Sequence, residues 1–105
     1  CGYKEYLGTQ GKYSLEDCNN NKDTTGIYVF RINSINDYEK INFYKEDNSY
    51  LEEYPESYFS IQEVISDTEM IIKYVLTKNK QTEVDKIIYV KWNFITDKSE
   101  EVEYE

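Results

Sequence analysis

The sequence predicts an all-β protein: a single antiparallel meander of six to eight short strands, curled into a small barrel or half-barrel. Three observations predict it. Aromatic residues reach 16%, with twelve Tyr, four Phe and one Trp, while Ala is absent; aromatic and β-branched side chains suit a pleated, half-buried surface, and the best helix former is missing. Apolar and polar residues alternate through several short runs, the period of strands with one wet face. Clusters rich in Asn, Asp, Ser and Thr separate those runs. A chain of 105 residues fits one domain, and folding at this size hides roughly two-thirds of the surface of the unfolded chain. A small meander protects its edges most simply by curling.

The elements follow in chain order. Residues 1–10 read as an N-terminal tether, 11–98 as the β domain and 99–105 as an acidic tail. "KYSLEDC" (12–18) is the first strand, followed by the polar loop "NNNKDTTG". "IYVFRINSI" (27–35) places Tyr28, Phe30 and Ile32 on one face, with Val29, Arg31 and Asn33 on the other. "EKINFYKE" (39–46) brings Ile41 and Phe43 to one side, and "DN" (47–48) supplies a tight turn into a strand "SYLEEY" (49–54). Ser49 and Glu52 also spell a capping box, so a short helix is the alternative there; Pro55 ends either element.

The clearest hairpin comes next. "YFSIQEVI" (58–65) puts Phe59, Ile61 and Ile65 on one side, "SDTE" turns, and "MIIKYVLT" (70–77) sets Met70, Ile72, Tyr74 and Leu76 inward. After the polar link "KNKQTEVD", the strand "KIIYVKWNFIT" (86–96) alternates Ile88, Val90, Trp92 and Phe94 against Tyr89, Lys91 and Asn93. Facing apolar stripes of this kind form one core, and Phe30, Phe43, Tyr74 and Trp92 are its candidate ligand-lining or core-lining residues. Every Gly lies at or before position 26, so later turns rest on Asn, Asp, Ser and Thr.

Charge bounds the partners. Twelve Lys and Arg against twenty-one Asp and Glu give −9, which argues against nucleic acid, since phosphate affinity comes from cations that displace counterions. Between Glu46 and Ile72 there are eight acids (Glu46, Asp47, Glu52, Glu53, Glu56, Glu63, Asp67, Glu69) and no Lys or Arg. From Lys73 to Lys98 six Lys face three acids, and the tail adds four Glu. Such runs serve as solvated faces or as a docking surface for a basic partner. The candidate partner surface is Glu46, Asp47, Glu52, Glu53 and Glu56 with Tyr50, Tyr54 and Tyr58. Tyr44 and Tyr89 are further outward candidates, for an aromatic contact patch or for cross-strand packing.

No run approaches the ~20 apolar residues that span a bilayer, and no N-terminal apolar stretch reads as a signal peptide. That makes Cys1 informative. The start "CGYKEYLG" resembles the mature end of bacterial lipoproteins, which are cleaved before a cysteine that carries lipid. One acyl chain holds only marginally and two or three anchor stably. Residues 2–10 could then reach up to about 30 Å from the membrane, a distance an acidic body prefers when the leaflet is anionic. A Cys1–Cys18 disulfide in an exported protein and a start without chemical meaning are the other readings. Without a disulfide, Cys18 reads as a half-buried structural thiol, with no His to activate it.

A family resemblance accompanies the anchor. "GKYSL", then "INFYKEDNSYLEEY", then "YFSIQEVISDTEMIIKYVL" resemble in order the lipocalin-like lipoproteins common in Bacteroidetes. Their pattern has a Trp where Tyr13 stands and a hairpin Gly where Asn48 stands; "VISDTEMIIKY" is the closest segment. The resemblance implies an exported, anchored small barrel able to hold an apolar ligand, and it supplies no catalytic residues. The outer membrane is the expected location, with either leaflet open.

Chemistry is sparse. His is absent, which removes imidazole bases, His-dependent triads and imidazole metal ligands. Glu52, Glu53, Glu56 and Glu63 could serve a glycosidase only as a carboxylate pair, and their spacing favours solvation. Asn19, Asn21 and Asp23 have a calcium-loop rhythm but lack its Gly and terminal Glu. A non-enzymatic envelope lipoprotein without cofactor or metal is therefore expected, held to membrane lipid through Cys1. It would be an accessory subunit of a larger complex or a small apolar-ligand binder. The alternative is an inhibitor or immunity-type protein that sets the acidic 46–69 span against a basic toxin or hydrolase.

Overall fold

The computed structural model describes residues 2–8, 11–18, 26–34, 36–45, 49–80 and 82–104, the first two segments through their backbone. Eight strands and one short helix follow one another: β1 (Gly2–Gly8), β2 (Gly11–Cys18), β3 (Gly26–Ser34), β4 (Asp37–Lys45), α1 (Ser49–Glu53), β5 (Tyr58–Val64), β6 (Glu69–Leu76), β7 (Lys86–Asn93) and β8 (Lys98–Val102). The protein is all-β with strictly antiparallel neighbours, as expected. It is not a closed barrel. Two four-stranded meanders form, β1-β2-β3-β4 and β5-β6-β7-β8, and among the described residues no ladder joins one to the other.

The break between the sheets falls at α1. Residues 49–53, expected as a strand, are helical, and the "DN" turn at 47–48 lies outside the described residues. Pro55 then turns the chain, and Ser57 donates through both its backbone N–H (3.2 Å) and its hydroxyl (2.7 Å) to the Tyr54 carbonyl. The helix is held from inside. Tyr50 stacks at 5.0 Å on Tyr74, and buried Thr77 donates its hydroxyl to the Glu56 carbonyl at 2.8 Å. Helix and turn thus occupy the stretch of chain that would otherwise hand β4 directly to β5.

Two segments expected outside the domain are strands. The proposed tether holds β1, paired with β2 from Gly2–Asp17 to Gly8–Gly11. The proposed acidic tail holds most of β8, paired with β7 from Asn93–Lys98 to Tyr89–Val102. In each case a neighbouring ladder edge gains hydrogen-bond partners, which outweighs the polar composition that suggested a free segment.

One core spans both sheets. Ile27, Val29 and Tyr44 come from the first, and Phe59, Met70, Ile72, Tyr74, Leu76, Ile88, Val90, Trp92 and Phe94 from the second or its β7–β8 turn. The stripe of β6 and that of β7 match the alternation in the sequence. In β3, however, the face that enters the core is that of Ile27 and Val29, so Phe30 lies on the other side. Polar atoms tie the sheets together as well. The Tyr44 and Tyr74 hydroxyls are 2.9 Å apart, the Tyr44 ring lies 5.2 Å from Trp92, and Asn42 Nδ2 donates to the Phe94 carbonyl at 3.1 Å.

Among the described residues three bulges shift the strand phase by one residue; the one at Asn33 lies near the β3–β4 tip, and the other two decide which side chains reach the core. In β4, Val29 pairs with Asn42 and the next residue, Phe30, pairs with Lys40, so Ile41 is the extra residue. Ile41 packs against the core while Phe43 faces away, which separates two side chains that simple alternation puts together. Asn42 stabilises the kink by accepting the Phe43 N–H at 2.8 Å. In β5, Ile61 pairs with Ile72 and Glu63 with Ile71, so Gln62 is extra. Val64 therefore packs on the core in place of Ile65, which is 42% exposed. Without that shift the period of two would carry Glu63 inward, where an unpaired carboxylate is costly.

The strand expected to run to 96 stops at Asn93. Asn93 Oδ1 accepts the N–H groups of Ile95 (2.9 Å) and Thr96 (3.0 Å), and its carbonyl accepts that of Asp97 (2.8 Å). Asp97 sits at φ 61°, in the left-handed region that Asp and Asn tolerate better than most residues. Its carboxylate then accepts the Trp92 indole N–H at 2.9 Å.

These contacts predict a ranked series at Asp97. Asp97→Asn keeps both the acceptor and the backbone tolerance and is expected within about 0.5 kcal/mol of the parent, whereas Asp97→Ala strands the buried indole N–H and costs about 1–3 kcal/mol. Urea unfolding of the three chains measures the order. Gly26 gives a second expectation, because a Cβ there meets both the Tyr44 carbonyl oxygen and the Phe43 ring. The carbonyl belongs to the paired strand and cannot swing aside, so Gly26→Ala is expected to cost about 1–3 kcal/mol and to lower the melting temperature.

Candidate binding face

The residues expected to line one interior site are divided. Tyr74 and Trp92 are fully buried in the core, between the sheets. Phe30 and Phe43 lie on the opposite face of the first sheet, for the reasons of phase just given. Around them the Tyr44 ring lies 5.2 Å and the Phe94 ring 6.1 Å from Trp92, all within one buried cluster.

The outer face of β3 and β4 collects what the interior leaves out. Register places four cross-strand pairs on it: Gly26–Lys45, Tyr28–Phe43, Phe30–Lys40 and Ile32–Tyr38. The Tyr28 ring lies 4.4 Å from Phe43 and 6.2 Å from Phe30, and the Lys40 ammonium sits above both Tyr28 (5.5 Å) and Phe43 (5.8 Å). A cation over two ring faces is held there by their quadrupoles. The rings are half-buried, and Tyr38 at the far end is 53% exposed. The second sheet and α1 pack on the other side, through Ile27, Val29, Ile41 and Tyr44.

This strip extends away from the core. Burial falls along β3 from Ile27 to Ser34 and rises along β4 from Asp37 to Tyr44. The hairpin therefore has a buried root and a projecting tip, in a molecule of 44 × 28 × 21 Å. Near the tip Arg31 reaches Glu39 at 3.8 Å on the core-side face, leaving the outer strip to Lys40 and Lys45.

The acidic surface is partly assembled. Glu46 and Asp47 lie outside the described residues; Glu52, Glu53 and Glu56 are exposed on α1 and the turn after it. The tyrosines expected beside them serve packing. Tyr50 and Tyr54 pack against the core, and Lys78 lies 5.5 Å over the Tyr54 ring. Tyr44, another outward candidate, is buried, because the β4 bulge turns it inward with Asn42. Tyr58 lies half-buried on the outer side of the second sheet, across from Val75. Cys1 and the residues Asn19, Asn21 and Asp23 lie outside the described residues, and Cys18 is described only as the last backbone position of β2, opposite Gly26.

The second sheet's outer face is crossed by the C-terminal segment. Tyr104 stacks at 4.9 Å on Tyr89 and donates its hydroxyl to Glu63 Oε2 at 2.6 Å, joining the end of β8 to the far edge strand β5. Sequence reading missed this link because it joins residues 41 apart across a four-stranded sheet. Beside it lies an open polar groove of about 530 Å³ around Glu69, Lys91, Lys98 and Glu100, in which Lys91 is 3.8 Å from Glu69 and 3.3 Å from Glu100. Among the described residues no group of three or more His, Cys, Asp or Glu gathers as a metal site.

The hydrogen bond to Glu63, followed by loss of solvent, raises the Tyr104 pKa above its ordinary value. A raised acid pKa means the folded state holds the proton more tightly. Its contribution is present below the ordinary tyrosine range and is lost as pH rises through the raised value. Glu63→Ala is expected to bring Tyr104 back towards ordinary titration, read as tyrosinate absorbance against Tyr104→Phe controls; an unchanged titration would refute the link. Comparison with known proteins gives no further lead: no family model matches the chain, and no curated protein or solved structure matches it.

Proposed function

We propose that this chain is a non-enzymatic, lipid-anchored domain of a bacterial cell envelope, acting as an accessory subunit through surface contact. The observation that carries the reading is the aromatic strip Tyr28, Phe30, Phe43 and Tyr38 on the face turned away from the core. Large apolar side chains at solvent are informative when contiguous, and aromatic ones dominate contact energetics. Tyr74 and Trp92, expected to line an apolar-ligand site, pack into one buried cluster with Tyr44 and Phe94, which favours an external dock.

The location rests on the resemblance of "VISDTEMIIKY", the end of β5, its turn and most of β6, to lipocalin-like lipoproteins. The outer membrane is the favoured site. A second reading, an inhibitor of a basic partner, is favoured by one observation. Glu56 is fixed by backbone and side-chain bonds to Thr77, so Glu52, Glu53 and Glu56 stand on a rigid base.

Site-specific photo-crosslinking in native envelopes tests the dock. A crosslinker replacing Tyr38 is expected to give adducts, whereas one replacing exposed Ile95 near the β7–β8 turn gives none; equal labelling, or none from Tyr38, refutes it. Intact mass of the native protein reads the anchor, with added lipid mass expected at Cys1. Binding carried by the acidic base would weaken steeply with salt, and Glu52→Gln would weaken it, whereas binding by the aromatic strip would be unaffected by that substitution.

A further inference from the structure

The occupant of the aromatic strip follows from its charge. The protein carries −9 overall, yet the described side chains of the four pairs from Gly26–Lys45 to Ile32–Tyr38 include two lysines and no carboxylate. Glu39 belongs to the opposite face with Arg31; exposed Asp37 stands at the hairpin tip opposite Ser34, and exposed Glu52, Glu53, Glu56, Glu100 and Glu101 lie on α1, its turn and β8. A basic or neutral surface would be matched poorly by such a strip, whereas an anionic one would be matched well.

We infer that the outer face of β3 and β4 rests on anionic lipid headgroups, with Lys40 and Lys45 at phosphate level and the rings of Tyr28, Phe30, Phe43 and Tyr38 at the boundary beneath. This rests on the contact-face reading above and names the surface contacted. The chemistry is that of interfacial residues elsewhere. Aromatic rings settle where an apolar body meets a wet edge, and lysine stems lie along apolar surface while the ammonium stays at the headgroups. Lys40 already holds that posture over Tyr28 and Phe43.

Geometry permits the approach. The strip runs along a projecting hairpin, with the acidic helix, the core and the second sheet outside its plane. β1 begins at Gly2, next to the cysteine proposed to carry lipid, and belongs to the same sheet. The face is too small to anchor the protein alone: each lysine near an anionic surface contributes only about a fivefold gain in binding. Its part is to orient a domain already held there, with α1 left free for a partner.

Amide-resolved NMR of the isotope-labelled chain, titrated with nanodiscs of phosphatidylglycerol or of phosphatidylcholine, tests this. At low salt, phosphatidylglycerol is expected to broaden amides of Tyr28, Phe30, Lys40 and Phe43 selectively, with much weaker effects from phosphatidylcholine. Lys40→Gln, whose exposed side chain leaves the fold intact, is expected to weaken the interaction about fivefold, and Lys98→Gln on the other sheet to leave it unchanged. Broadening centred on α1 or β8, no selectivity for phosphatidylglycerol, or equal behaviour of the two variants overturns the proposal. Crosslinks from Tyr38 to protein with silent nanodiscs would reject the lipid surface and keep the contact face. No adducts from Tyr38 at all would reject both.

Discussion

The extra residue in β4 decides what this protein presents to its surroundings. At Ile41 and Asn42 the ladder with β3 slips by one, and the slip decides which of two consecutive aromatic residues turns inward. Tyr44 enters the core and meets Tyr74 and Trp92, while Phe43 emerges beside Tyr28 under Lys40. Asn42 makes the slip tolerable by accepting the backbone N–H of Phe43 and bonding across to the Phe94 carbonyl. A regular strand could not place Ile41, Asn42 and Tyr44 on the same side. The junction of the two sheets and the outer aromatic strip therefore depend on the same kink.

Around that junction the structure satisfies polar groups locally. The Trp92 indole finds Asp97, Thr77 finds the Glu56 carbonyl, and Asn93 closes the turn that carries Phe94 back towards the first sheet. Each partner keeps a polar atom beside the core from losing water without recompense, which matters more than the net strength of any one bond. The result is a root that is well packed and a hairpin that runs out beyond it, with its aromatic side turned away.

How much of this was legible varies by element. The stripes Met70, Ile72, Tyr74, Leu76 and Ile88, Val90, Trp92 were readable because β6 and β7 pair in unbroken register. Phase is misread at the bulges in β4 and β5: Ile41 and Phe43 read as one face but only Ile41 packs against the core, and Val64 packs where Ile65 is expected. No residue type marks a bulge uniquely, so counting by two continues past it. β1 and β8 were read as tether and tail because their charges look solvated, although pairing with β2 and β7 uses backbone groups that composition does not report. The helix at 49–53 was visible as a capping box and lost to its neighbours' strand pattern.

The sequence by itself determined the strand-rich class, the antiparallel order, the acidic surface and the absence of imidazole chemistry, because composition and alternation act locally and need no partner to be counted. The tertiary structure alone decided that two sheets form where one curled sheet was expected. It also decided that Ile27 and Val29 are the inner face of β3, and that Tyr28, Phe30 and Phe43 share the outside with Lys40. Both faces of β3 are apolar enough to be buried, so the choice between them rests on long-range fit. The branched residues and Tyr44 close against Trp92, and Gly26, with no Cβ, leaves room for the Phe43 ring on the other side.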